Sequence, residues 1–188
     1  MFENPMNPFA NGSITDDHRE KNVNAHRYNS ALSKFTSALL KGKAFRMGAR
    51  VLCRKPFLFD LNAIKSDLNL QGCFYAGIRV VRIDSIIGSE GKVSDFDRVF
   101  HPLNEASRQR WVGMAIAYLS RLPLPPVQLI QVGDAYFVRD GHHRISVARA
   151  FEQVAVDAEV ITWNALPPFP WQPDAGKGSM IVLKRAVD

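Results

Sequence analysis

The sequence predicts an α+β fold in which helices pack on a small mixed sheet. Three observations point there. Residues 79–87 ("RVVRIDSII") and 154–163 ("VAVDAEVITW") alternate in character and are rich in β-branched side chains, as strands do. Residues 125–139 set Gly133 and Asp134 between two apolar runs, the mark of a β-hairpin. Between these segments, apolar residues recur at spacings of three and four, which places them on one face of a helix.

In chain order, residues 1–24 are rich in Asn, Pro, Gly and charge without a period that buries a face, and read as a flexible arm. Residues 25–47 read as a helix, with Tyr28, Leu32, Phe35 and Leu39 on one stripe, Arg27, Lys34 and Lys41 on a second, Asn24 as N-cap and Gly48 as the stop. The aromatic-rich connection holding Pro56, Phe57, Phe59, Phe74 and Tyr75 carries no clear period, so residues 25–76 form an N-terminal helical extension. The core spans residues 77–163. Within it the strand at 79–87 ends at "GSEG", and Asn104 caps a helix that shares Val112, Ala115, Leu119 and Leu122 on one face until Pro123 stops it. A hairpin strand begins after Pro126, and a helix after Gly141 carries Ile145, Val147, Ala148 and Phe151. The final strand closes the core, and residues 164–188 form a Pro-rich tail.

Hydrophobic residues make up 46% and charged residues 22%, enough apolar surface to fold. Only two cysteines occur, Cys53 and Cys73, without a CxxC spacing, which favours a reducing compartment. No apolar run approaches the roughly 18 residues of a membrane span and no leader pattern opens the chain, so a cytoplasmic protein is expected. The net charge of +6 is concentrated: between Lys21 and Phe59 there are nine Lys and Arg and no Asp or Glu.

The chemistry gathers at Asp140, Gly141, His142, His143 and Arg144, where a strand passes into a helix. The first amides of a helix lack intrahelical partners and sit at the positive end of the dipole, which suits phosphate. Gly141 permits close approach of a ligand to the backbone. Arg144 can offer a planar guanidinium fork to phosphate. The histidines titrate near pH 6.5, roughly, and adjacent helical residues diverge by about 100°, which directs His142 to the ligand and His143 to packing. Asp140 can cap the helix, fix a histidine tautomer or bind Mg²⁺. The alternative is an ordinary N-cap, turn and solvated arginine.

These residues, with the elements of residues 79–161 around them, resemble the ParB/sulfiredoxin-like superfamily. In ParB partition proteins a G-E-R-R motif at this corner binds nucleotide triphosphate; Gly141 and Arg144 match its ends, and His142 and His143 replace its centre. In sulfiredoxins the corner is G-G-C-H-R; Gly141, His143 and Arg144 match, but His142 stands where the redox Cys would be. The D-G-H-x-R corner of the ParB-like free serine kinases is matched by Asp140, Gly141, His142 and Arg144. The resemblance implies a bound nucleotide (ATP, ADP or CTP) with Mg²⁺, and a core that hydrolyses NTP or transfers phosphoryl to a small acceptor. It also asks for an upstream carboxylate as base, for which Asp84, Glu90, Asp95 and Asp97 are available, with Asp95 and Asp97 beside Arg98 in the loop where nucleotide contacts of this superfamily sit. His142 joins them as a catalytic candidate, Asp95 and Asp140 are the metal candidates, and Arg98 is a phosphate contact. The residues after Ile161 are too few and too proline-rich for the helix-turn-helix domain of partition proteins.

A rival reading gives the basic segment to nucleic acid, with Arg27, Lys34, Lys41 and Arg46 on phosphates. The same stripe serves equally a helix docked on the core with its charges in solvent. "GKGS" at residues 176–179 lacks the spacing of a phosphate-binding loop.

Overall fold

The computed structural model describes residues 13–52 and 57–172. Residues 1–12, Cys53 and the "GKGS" segment lie outside the described residues. The protein is α+β. Six strands form one mixed sheet: β1 (Phe59–Asp60), β2 (Asn69–Arg82), β3 (Ile86–Ser89), β4 (Val127–Val132), β5 (Ala135–Asp140) and β6 (Ala155–Leu166), in the order β1-β3-β5-β4-β6-β2. β4 and β5 pair antiparallel through the Gly133 turn as the hairpin pattern requires, while β3 runs parallel to β5 and β6 parallel to β4. The helices are α1 (Ser13–Val51), α2 (Leu61–Ile64), α3 (Arg108–Leu119) and α4 (His142–Ala150).

Alternation along the central strands covers both faces of the sheet. Val127 and Leu129 of β4, Val138 of β5, and Ala158 and Val160 of β6 point to one side, where Ile145 and Ala148 of α4 close over them. Ile130, Val132, Phe137 and Trp163 point to the other, under Leu61 of α2 and Phe169 from the segment after β6. Outside α4, a second cluster joins α1, α3 and α4 around Trp111, which is fully buried, lies 5.5 Å from the Phe35 ring, and donates through Nε1 to Ser146 Oγ at 2.9 Å.

Several expectations change. α1 begins at Ser13, within the supposed arm, and runs through Asn24 and Gly48, so neither residue bounds it. Its buried stripe keeps Phe35 and Leu39 but is otherwise Ala31, Ala38, Gly42 and Ala49, small residues that let the helix approach closely, whereas Tyr28 is 49% exposed. A Cβ on Gly42 would stand 2.7 Å from the carbonyl oxygen of Pro102. The strand read at 79–87 is two strands separated by a 3-10 turn at Ile83–Ser85: β2 lies at the sheet edge and β3 between β1 and β5. β2 starts at Asn69 and pairs with β6 over its whole length, so a boundary at residue 76 cuts a strand, and a tail starting at 164 removes the end of β6. Two register shifts interrupt this pairing, beside Gly72 and Gly77. Leu122 is exposed, because α3 already ends at Leu119.

Candidate functional site

Positioning begins with Gly141. It adopts φ 98°, the left-handed region, and turns the chain from β5 into α4 with its Cβ position against Val127. No side chain caps the helix it opens. Asp140, read as a cap, a tautomer anchor or a Mg²⁺ ligand, makes no cap bond and is engaged by the Arg144 guanidinium.

The guanidinium itself is committed. Its Nη1 donates to the carbonyls of Pro125 and Pro126 at 2.5 and 2.6 Å and its Nη2 to Asp140, so Arg144 clamps the approach to β4 onto α4 instead of presenting a free fork. The loop residues divide similarly. Asp97 is fully buried, its Oδ1 accepting from the amides of Val99 and His101 and its Oδ2 lying 2.8 Å from His101 Nδ1. It organises its own loop and is no base for a ligand. Arg98 lies over the Phe59 ring, 5.4 Å from its centroid, and lines neither cavity of the site.

The two histidines exchange their expected places. His142 is the buried one, stacked on Phe96 at 5.9 Å, with Nε2 2.7 Å from Ser89 Oγ. That oxygen already accepts from the amides of Gly91 and Lys92 at 3.1 and 3.0 Å, so its hydroxyl donates to Nε2 and His142 is the neutral tautomer protonated at Nδ1. Burial, helped by the charge of Lys92, lowers its pKa to about 4. His142 therefore fixes the Gly91–Lys92 turn against the start of α4. His143 is partly exposed and edge-on to Phe96, with Nδ1 buried and without a hydrogen-bond partner. Burial, then Lys92 and Arg110, hold its pKa below the usual value against the opposing pull of Asp95.

Two adjoining cavities open here. One of about 280 Å³ lies between α3 and the start of α4, lined by Lys92, Arg110, Gly113, Gly141, His142 and His143 among others. One of about 140 Å³ continues from it past Lys92, Arg110 and His143 to Asp95 and Asn104. Among the described residues neither Lys92 nor Arg110 is in an ion pair, so both cations face the uncapped helix end. Asp95 alone of the carboxylates proposed as base reaches the cavities; Glu90 pairs with Arg139, and Asp84 with Arg82 and Arg149. Lys92, Arg110 and Ser89 went unread in the sequence. A serine three residues before a lysine in "GSEGK" is the only local hint of the turn, and nothing local tells that Arg110 faces α4.

The basic stripe of α1 is partly used for docking. Lys34 donates to the carbonyl of Ala150 at 3.2 Å and lies over Phe151, capping the end of α4 rather than awaiting nucleic acid. Arg27 reaches Asn24, while Lys41 stays exposed and Arg46 half-buried. Among the described residues no helix is long and apolar enough to cross a membrane, and no three His, Cys, Asp or Glu gather as a metal site. Comparison with known proteins returned no matching family model, no similar curated protein and no similar solved structure.

Proposed function

We propose that the protein binds a nucleotide or another phosphorylated small molecule between α3 and α4, its phosphates against the first amides of α4 with Lys92, Arg110 and His143 around them. The observation that carries this reading is an uncapped helix terminus opening onto a cavity flanked by two cations that make no ion pair among the described residues. His143, which lines both cavities, also carries a buried Nδ1 without a partner among the described residues. The resemblance of the surrounding elements to the ParB/sulfiredoxin-like superfamily implies the same ligand class.

Magnesium fits such a site only together with phosphate oxygens, because each cavity offers one carboxylate, Asp140 at the larger, already engaged by Arg144, and Asp95 at the smaller; bound there, it would neutralise charge on the transferring phosphoryl group. The chain's own part in NTP hydrolysis or transfer to a small acceptor is to orient the phosphates and balance their charge. Asp95, next to His143, is the group able to accept a proton.

The test is a thermal-shift series with ATP, ADP, CTP and GTP, each with Mg²⁺. A ligand bound only by the folded state raises the melting temperature, and Lys92→Ala and Arg110→Ala should each remove the rise while leaving the unliganded melting temperature unchanged. No rise with any nucleotide overturns the proposal. Salt-sensitive duplex DNA binding, lost in Lys41→Glu with Arg46→Glu, would then give the basic face of α1 the leading role.

A further inference from the structure

A larger, open basin of about 620 Å³ lies between α1 and α3. Its floor is Val112 and Ile116, its wall is Tyr28, and its polar edge carries Glu105, Arg108 and Gln109. Gln109 and Gly113 line this basin and the cation-flanked cavity alike, so the two adjoin across one turn of α3.

Gly113 is the residue at which the two meet, and the fold gives it no reason to be glycine. It lies in the interior of α3 without a positive φ, and a Cβ added there would meet nothing within 4 Å. Gly48 of α1 is free in the same way, whereas Gly42 answers to the Pro102 carbonyl, Gly88 to Phe137 and Gly141 to its φ; what sets Gly113 apart is its place between two cavities. In a helix interior, glycine forfeits about 1 kcal/mol relative to alanine. Here the missing side chain leaves the helix surface between the two cavities uncovered. Tyr28 is anomalous in the same place, an aromatic ring on the packing side of α1 that is nonetheless half exposed.

We infer that the basin beside Tyr28 is a nucleobase subsite, and that the ligand crosses α3 over Gly113 with its phosphates toward α4. This rests on the anion-binding reading of the α4 terminus and deepens it. An exposed tyrosine ring and an aliphatic floor suit a flat heteroaromatic ring, which any of the four bases offers. The amide of Gln109 and the Glu105–Arg108 pair stand where the polar edge of a base falls and can discriminate among bases.

The experiment compares binding of inorganic tripolyphosphate, of ATP, CTP and GTP, and of the corresponding nucleosides, by calorimetry on the full chain. At least one nucleotide should bind about tenfold or more tightly than tripolyphosphate, the size of one base stacked on an aromatic ring. Tyr28→Ala should remove that advantage and leave tripolyphosphate binding unchanged. Gly113→Ala should raise the melting temperature of the unliganded protein by roughly 2–4 °C and yet weaken nucleotide binding, an opposition that a purely structural glycine would not show. Equal affinity for nucleotides and tripolyphosphate, or nucleotide affinity untouched by Tyr28→Ala and Gly113→Ala, overturns the subsite while the anion site stands. Nucleoside binding without tripolyphosphate binding would do the reverse, and binding of none would overturn both.

Discussion

Arg144 is the residue whose sequence neighbourhood says one thing and whose contacts say another. A DGHHR string places it one turn into a helix, an ordinary phosphate contact, but the carbonyls of Pro125 and Pro126 have no other donor in that loop and Asp140 lies one turn back. The nearest acceptors win. Arg144→Ala should therefore lower stability by about 2–3 kcal/mol, the worth of charged hydrogen bonds left unmade, in urea titration without ligand; an unchanged midpoint would refute the clamp. Lysine cannot reproduce two donations from one planar group, so Arg144→Lys should restore only part of it. His142 adds a pH term whose sign follows from its lowered pKa. Above pH 6.5 it is neutral folded or unfolded and contributes no difference. Between 6.5 and about 4 the unfolded chain takes up a proton that the folded chain does not, so stability falls with pH, by up to about 3 kcal/mol. The lowered pKa of His143 acts in the same sense. Urea midpoints from pH 7 to 4 should fall less steeply in His142→Asn than in the parent.

The helices show how far a stripe in the sequence can be trusted. That α1 docks was legible from Phe35 and Leu39, both buried, but the residues that set its distance from the core are alanines and a glycine, which weigh little in a hydrophobic count. Its start was illegible because residues 19–26 are all exposed, so no buried face marks that stretch. Two glycines on this helix make a controlled pair. Gly48→Ala meets nothing within 4 Å and should stabilise by about 0.5–1 kcal/mol, the ordinary helix preference. Gly42→Ala gains the same preference but drives a methyl to 2.7 Å from the Pro102 carbonyl, and should be net destabilising. Melting curves of the two variants should shift in opposite directions. α4 was legible in full, since a turn glycine precedes it and Ile145, Val147 and Ala148 follow with the right period.

For the molecule as a whole, local pattern revealed the centre and missed the margins. The hairpin β4–β5 and strand β6 were readable because each faces a helix on one side and apolar cover on the other. β1 has two residues, too few to carry a pattern, and β2 is exposed along most of its length on both faces, so only its last residues, 79–82, belonged to a readable stretch. Membership of the sheet is decided there by pairing with β6, a partner some eighty residues away, which no window of sequence contains. For the same reason the supposed extension proved to supply β1 and the first part of β2.

That outer strand carries a hazard along with its length. Phe74, Tyr75, Ile78 and Val80 are all at least half exposed on a border that offers unused amides and carbonyls to any extended chain. The interruptions beside Gly72 and Gly77 spoil the even spacing a neighbour would need, and Arg79 and Arg82 place like charges where two copies would meet. Replacing Arg79 by Val should bring the onset of light scattering on heating to a lower temperature. The strand's irregularity thus protects the protein from polymerising on itself.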